Sequence, residues 1–433
     1  MLGPVNLGGA KQRLLPERIP ALFFGTAIFA HIFAWAALIP VADQWPTFAG
    51  GPGPVLAAVH ILTLGVFLCT AMGASLQMLP VILAQPATNG RVCYAIFATL
   101  TAGAVLLVSG FAAIDTTLIA AGAVLLLAAV LIYGIAMARM LRAAAAAPLL
   151  RRHMVAALAA LAAAVVLALA LTANYRLGIL PDHGRLALAH ATLAGFGFMG
   201  MMALGLSLVL VPMFAIAESP PETMVARAFA IIVGALVLAV AGELADWAPV
   251  TALAALVGVA GAAVHIRAMA LSVGRRMRRR LGPEFILIFA AWSFLPLALV
   301  LAAALALGLL PPQGAPLLIA VTLHGWLLSL LTGVLQRVLP FLASMQIARL
   351  KARPLAPAKL VSEAVLKAHL YGHLVAVAAL ALGTLLALPA LVATAGFAGT
   401  VAAGAFAWFA VTVLHRTRTH LKTYPAGWKE GTA

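Results

Sequence analysis

Three histidines set in long apolar segments are the residues of this sequence best suited to chemistry. His60, His190 and His324 each fall in the outer half of a predicted membrane helix, roughly 8–15 Å below its outer end at 1.5 Å per residue. Ionisable side chains at such depth are costly and usually face the interior of a helix bundle. Because neutral imidazole is the commonest metal ligand and also binds haem iron, we predict that the set ligates haem or a metal ion. The alternative for any one of them is a hydrogen-bonded structural role.

Further histidines extend the candidate set. His31 lies at mid-membrane in the first predicted helix, as a further ligand or a proton-relay group. His369 and His373 are four residues apart, hence on one face of the eleventh helix. Since that helix begins in the cytoplasm, we expect them on the opposite side of the membrane from His60, His190 and His324. There they would form a second metal or haem site, or bond backbone and phosphate groups. The histidines near basic cytoplasmic ends are predicted to be interfacial: His153, His265, His415 and His420.

Two other groups of side chains suit haem or copper. Arg176 and Arg185 flank a predicted outer loop, and we predict that they bind haem propionates. An ordinary solvated loop is the alternative. Soft ligands that suit copper(I) occur in two groups, for which core packing is the alternative: Cys69 with Met72, and Met199 with Met201 and Met202.

The elements that position these groups must be membrane helices. The chain is 65% hydrophobic and 9% charged, with a mean hydropathy of +1.12, which excludes a soluble globular domain. Apolar runs of this length must form helices, because backbone groups in hydrocarbon need partners within their own segment. The hydropathy predicts twelve helices, at 19–41, 54–84, 91–113, 115–140, 152–175, 185–217, 224–244, 249–272, 284–308, 314–346, 366–386 and 391–415.

The net charge of +16 belongs to one face of the predicted membrane protein. That face collects 25 of the 27 Lys and Arg residues, and the other holds only Arg176 and Arg185. By the positive-inside rule both termini are cytoplasmic, in an inner membrane of bacterial type. The basic clusters at 275–280 and 349–359 then lie beside anionic lipid, so nucleic acid is not expected as a partner.

A single membrane domain accounts for the predicted organisation. We place a cytoplasmic N-terminus at 1–18, the twelve-helix domain at 19–415 and a cytoplasmic C-terminus at 416–433. The first span lacks a convincing cleavage site, so it is predicted to be a retained helix. The two cysteines, Cys69 and Cys93, indicate no disulfide framework.

Three of the predicted helices share a glycine–proline pattern. Glycine and proline are seven residues apart in the second, sixth and tenth helices, at Gly73–Pro80, Gly205–Pro212 and Gly333–Pro340. Because these helices are four apart in order, we predict three four-helix units about a pseudo-threefold axis. The alternative is coincidence, since both residues are frequent in membrane helices.

The second helix carries a family resemblance. Its pattern, His60-x4-Gly65-x7-Gly73-x6-Pro80, resembles the second-helix signature of the NnrS family, in which His-Glu-Met-Leu-Phe-Gly precedes a glycine and a proline at similar spacing. Members of that family are twelve-helix membrane proteins with haem and copper, connected with nitric oxide metabolism. The predicted architecture is also similar to subunit I of haem–copper oxidases and nitric oxide reductases, with three pseudo-symmetric arcs.

The resemblance implies roles for three histidines. His60 would be the second-helix haem ligand, His324 the tenth-helix ligand and His190 the sixth-helix copper ligand. The sequence departs from the NnrS pattern at two positions, where a second histidine and the glutamate are replaced by Ala58 and Ile61. The seventh helix lacks the adjacent histidines of the oxidases, which argues against a complete oxygen-reducing haem–copper centre.

We therefore expect a haem-binding membrane protein, acting in electron transfer or in handling a diatomic gas such as nitric oxide. The expected cofactor is b-type haem, with copper as a further candidate. The expected partners are the bilayer, a redox partner or quinol, and a second copy of the chain. The alternatives are a metal or small-solute transporter and a quinol-linked oxidoreductase.

Overall fold

The chain folds into long helices that are apolar enough to span a membrane. The computed structural model describes residues 13–425 and residue 427, and these contain no strand. The described part has twelve such helices, which confirms a multi-pass all-α membrane protein: α1 (Arg18–Ala36), α2 (Pro54–Ile82), α3 (Gly90–Ala113), α4 (Thr116–Ala143), α5 (Pro148–Leu177), α6 (His183–Ala215), α7 (Glu222–Leu244), α8 (Ala248–Gly274), α9 (Pro283–Ala306), α10 (Gly314–Arg349), α11 (Glu363–Leu385) and α12 (Pro389–Thr423). The last helix extends eight residues beyond its predicted end at 415.

The helices associate as three units of four. In each unit the third and fourth helices form a closely packed hairpin, namely α3 with α4, α7 with α8, and α11 with α12. The fourth helix of each unit then packs on the first helix of the next, so α4 contacts α5, α8 contacts α9, and α12 contacts α1. The last contact closes the arrangement into a ring of three units, as the glycine–proline pattern predicted.

The second helix of each unit lies at the centre of the ring. In α2, α6 and α10 the most apolar window is 61%, 78% and 72% buried, against 17–44% for the other nine spans. Each of the three central helices also contains a π-helical segment, at Ile61–Leu68, Leu193–Gly200 and Ala320–Leu328. Because π-helix is rare and occurs mostly at functional sites, three segments at matching places point to the centre as the functional region.

The shared glycines have the same packing role in all three units. A Cβ added to Gly73 would overlap Phe23 of α1, and one on Gly205 would lie 2.6 Å from the Cβ of His153 on α5. One on Gly333 would lie 2.9 Å from the backbone oxygen of Glu284 on α9. Each glycine therefore allows the second helix to approach the first helix of its own unit, as small residues do in membranes.

A second set of glycines repeats at the hairpins. A Cβ on Gly110, Gly242 or Gly383 would lie 2.6, 2.8 or 2.9 Å from a backbone nitrogen of the following helix. The three partners, Ile119, Thr251 and Val392, are each the fourth residue of their helix. Coincidence does not explain matching contacts at two sets of positions, so the predicted internal repeat is confirmed.

Candidate cofactor site

Four histidines meet in the interior of the bundle. The central histidine cluster consists of His31 on α1, His324 on α10, and His369 and His373 on α11, each at most 3% exposed. The ring centroids of His31 and His369 are 6.2 Å apart, and those of His369 and His373 are 5.6 Å apart. The indole of Trp35 joins His324 to His373, at 4.6 and 6.1 Å.

Local structure explains how these rings come together. His369 and His373 are one helical turn apart and face the same side of α11. His324 lies inside the π-helical segment of α10, all of which is buried. The expectation that His369 and His373 lie across the membrane from His324 was wrong, because the indole of Trp35 contacts the rings of both His324 and His373.

Hydrogen bonds from α10 orient the two rings of α11. The Ser329 hydroxyl is bonded to Nε2 of His373 at 2.8 Å, and the Gln336 amide lies 2.9 Å from Nδ1 of His369. The Oε1 atom of Gln336 has no partner in this amide orientation. Exchanging the amide O and N would let Oε1 accept from Nδ1–H, which leaves a lone pair on Nε2 of His369 for a ligand.

Four ring nitrogens of the cluster are buried without a hydrogen-bond partner among the described residues. They are Nε2 of His31, Nδ1 of His324, Nε2 of His369 and Nδ1 of His373. A buried polar atom left unpaired costs about 1–3 kcal/mol, so proteins seldom keep several together without a use. This set of donors has the chemistry of a site for a transition metal or a haem iron.

The cluster is closed at the end that faces the α1–α2 connection. Trp45, in the short 3₁₀ turn Trp45–Thr47 after α1, donates its indole N–H to the Thr384 hydroxyl at 2.9 Å. Its ring lies 6.3 Å from that of His324, and the side chain is 1% exposed. Water is therefore excluded from this end of the site.

The spacing of the rings suits one metal ion. With metal–nitrogen bonds of about 2.0–2.1 Å, two imidazoles on opposite sides of an ion have centroids about 6 Å apart. The His31–His369 separation of 6.2 Å matches this value. No group of three His, Cys, Asp or Glu side chains in the described part is already arranged around one position, so binding requires ring rotations.

A haem at the same place would overlap a side chain of the protein. The ring of Phe406 on α12 lies 5.9 Å from His31 and 5.0 Å from His369, beside the line that joins them. A macrocycle centred between the two histidines would overlap this ring. The ring spacing therefore suits a metal ion once the histidine rings have turned, and suits a haem only if Phe406 also turns away.

His60 and His190 lie outside the central cluster. Each is half-buried and bonded through Nδ1 to a backbone carbonyl, Leu56 or Ala164, at 2.9 Å, which leaves Nε2 as the available ligand atom. The ring of His60 packs on Phe111 at 4.8 Å. Among the described residues no ring contact joins His60 to His324.

Arg176 and Arg185 both bind other residues of the protein. Arg185 forms ion pairs with Asp182 at 2.7 Å and Asp246 at 2.8 Å. Arg176 donates to the hydroxyls of Thr116 and Thr117 at 3.2 and 2.6 Å. Both guanidinium groups therefore hold helix ends and connections together, and the pairing with Asp246 had no signal in the sequence.

Two histidines predicted to be interfacial are buried instead. His153 and His265 are each 1% exposed. Nε2 of His265 is 3.2 Å from the Ser207 hydroxyl, and His153 packs on Phe229. That prediction was wrong because position near a basic helix end fixes depth but not the side of the helix that a residue faces. His415 is exposed, and His420 bonds the carbonyl of Arg353, as expected of interfacial residues.

The glycines that could have made room for a macrocycle mostly serve helix packing. A Cβ on Gly65 would lie 2.8 Å from Ala30, one on Gly197 2.7 Å from Ala160, and one on Gly200 3.0 Å from Trp326. The Cys69 thiol, a proposed copper ligand, donates to the carbonyl of Phe23 at 3.3 Å.

Fold and site define a class: a polytopic membrane protein of three repeated four-helix units with histidines buried in its interior. No protein-family model and no curated protein matches this sequence.

Proposed function

We propose that this chain is a metal-dependent redox protein of the membrane, acting in electron transfer or in the handling of a diatomic gas. The four unpaired ring nitrogens of the central histidine cluster carry the proposal. Haem is the cofactor that the NnrS resemblance implies, whereas a copper ion is what the ring spacing supports with Phe406 in place. Either would be ligated by imidazole nitrogen.

The residues in and around the central histidine cluster have separate roles in this proposal. His369 and His373 are the candidate ligands that Gln336 and Ser329 orient. The Trp45–Thr384 contact keeps the site dry, and a dry apolar shell influences the reduction potential of a bound metal. The bound metal would supply the electron exchange that no amino-acid side chain of the site provides.

The alternatives from the sequence have less support. A quinol site would need histidines open to the inner leaflet, but His369 and His373 are both fully buried. A transporter fold built from inverted repeats is not observed, because the three units follow one another in the same sense.

The absorption spectrum of the purified protein tests the proposal. Protein from cells grown with ample haem and copper is expected to contain about one metal centre per chain, since the cluster offers one set of ligands. A Soret band with sharp reduced α and β bands would show haem. Elemental analysis would show copper. A colourless preparation without either metal would contradict the proposal.

We further propose that both termini face the cytoplasm of a cell with a bacterial-type inner membrane. Alkaline phosphatase is expected to be active when fused in the outer loop near residue 180, and inactive when fused behind α12. A fluorescent protein behind α12 is expected to be bright. The reverse pattern would show that the distribution of Lys and Arg does not give the orientation of this protein in the membrane.

A further inference from the structure

Three methionines from different helices line one small cavity. Met137 on α4, Met154 on α5 and Met202 on α6 border a space of about 10 Å³. Their side chains are 1%, 2% and 4% exposed. This space lies among α4, α5 and α6, whereas the central histidine cluster is built from α1, α10 and α11, so the two places are separate.

The ring of Tyr133 also lines this methionine cavity, together with five apolar side chains: Leu79, Leu141, Ala157, Leu158 and Phe198. The Tyr133 hydroxyl is bonded to the Ser75 hydroxyl at 2.9 Å, and its side chain is 1% exposed. The ring is therefore held in a fixed place at the border of the cavity. Aromatic rings attract cations over their faces, so Tyr133 can add to the attraction of the sulfur atoms for a positive ion.

Packing alone is an incomplete account of this arrangement. Methionine is the side chain best able to fill irregular gaps, because it is unbranched and flexible. Here three methionines border a space that they leave open. The space is about the size needed for one water, yet its apolar lining offers water almost no hydrogen bonds.

The donor chemistry decides which ion suits the cavity. Thioether sulfur is a soft ligand that selects copper(I) over hard cations. The lining carries no anionic group, so a divalent ion would bring two uncompensated charges into a low-dielectric interior. A soft monovalent ion brings one.

We propose that Met137, Met154 and Met202 form a binding site for one soft monovalent metal ion, copper(I) or silver(I). The site does not depend on the function proposed for the central histidine cluster.

Silver(I) binding to a cysteine-free protein tests this site. In the Cys69→Ala/Cys93→Ala background, every sulfur ligand must be a methionine. We expect one tightly bound silver ion per chain by equilibrium dialysis with elemental analysis. Silver-edge X-ray absorption should show three sulfur neighbours. Met137→Leu/Met154→Leu/Met202→Leu is expected to weaken binding by about tenfold or more, a loss that even outer-shell changes at metal sites can produce.

Met140→Leu provides the matched control. Met140 is also on α4 and buried, but it does not line the cavity, so its replacement should leave silver binding unchanged. Leucine conserves volume, and elution of the variants as intact protein on size-exclusion chromatography would confirm folding. Unchanged silver affinity in the folded triple variant, or nitrogen neighbours in the absorption spectrum, would overturn the proposal.

Discussion

Purified His369→Gln and His373→Gln proteins are expected to retain little of the haem or copper that we propose for the parent protein. Both rings are fully buried, both present an unpaired nitrogen to the central histidine cluster, and both are oriented by side chains of α10. Removing an outer-shell partner of a metal ligand typically costs about 10–100-fold in affinity, and removal of the ligand itself should cost at least as much. Absorption spectra and elemental analysis of each variant measure the loss.

His265→Gln is the matched control for these variants. His265 is as deeply buried and is bonded to Ser207, yet it lies outside the cluster. Its replacement should leave the metal content near that of the parent protein. His60→Gln distinguishes the ligand that the family resemblance implies from the ligands that the structure indicates. If His60→Gln loses the cofactor while the α11 variants keep it, the cofactor belongs with His60 and His190 instead.

Gly399→Ala is expected to weaken both the fold and the cofactor site. A methyl group on Gly399 of α12 would overlap the indole of Trp35 on α1. Trp35 is fully buried and lies 4.6 Å from His324, so it cannot move without disturbing the cluster. Overpacking of this kind costs about 1–3 kcal/mol. The thermal midpoint in detergent and the metal content should both fall.

Gly404→Ala on the same helix is the internal comparison. A Cβ on Gly404 would meet no atom within 4 Å. Since alanine is favoured over glycine in a helix by up to about 1 kcal/mol, this variant should be neutral or more stable. Equal thermal midpoints for the two variants would show that the contact between α12 and α1 is looser than the structure indicates.

Much of the fold could be predicted from sequence because its causes are local. Length and hydropathy define membrane helices without knowledge of their neighbours. The repeat was detectable because Gly73, Gly205 and Gly333 each lie where two helices approach closely. Only glycine fits such a position, so the same residue type recurs at the same place in each unit. The π-helical segments beside them had no comparable signal.

The site was harder to predict because hydropathy gives depth in the membrane but not rotation about the helix axis. His31 and the pair His369–His373 were recognised separately, while their meeting with His324 depends on which faces α1, α10 and α11 present to one another. The same uncertainty led to the wrong prediction for His153 and His265. A usable signal did exist on α10, where three polar residues recur every seven positions and so share one face: Thr322, Ser329 and Gln336.

Closure of the ring between α12 and α1 has a consequence for biosynthesis. The site joins residues far apart in the chain, as in the contact of Trp45 with Thr384 across 339 positions. Protein synthesis proceeds at about 5–20 residues per second, so α1 is in the membrane for on the order of tens of seconds before α11 has been made. During that time His31 and Trp35 lack their permanent neighbours. Any cofactor of the central histidine cluster is therefore acquired late, after nearly the whole chain has been made and inserted.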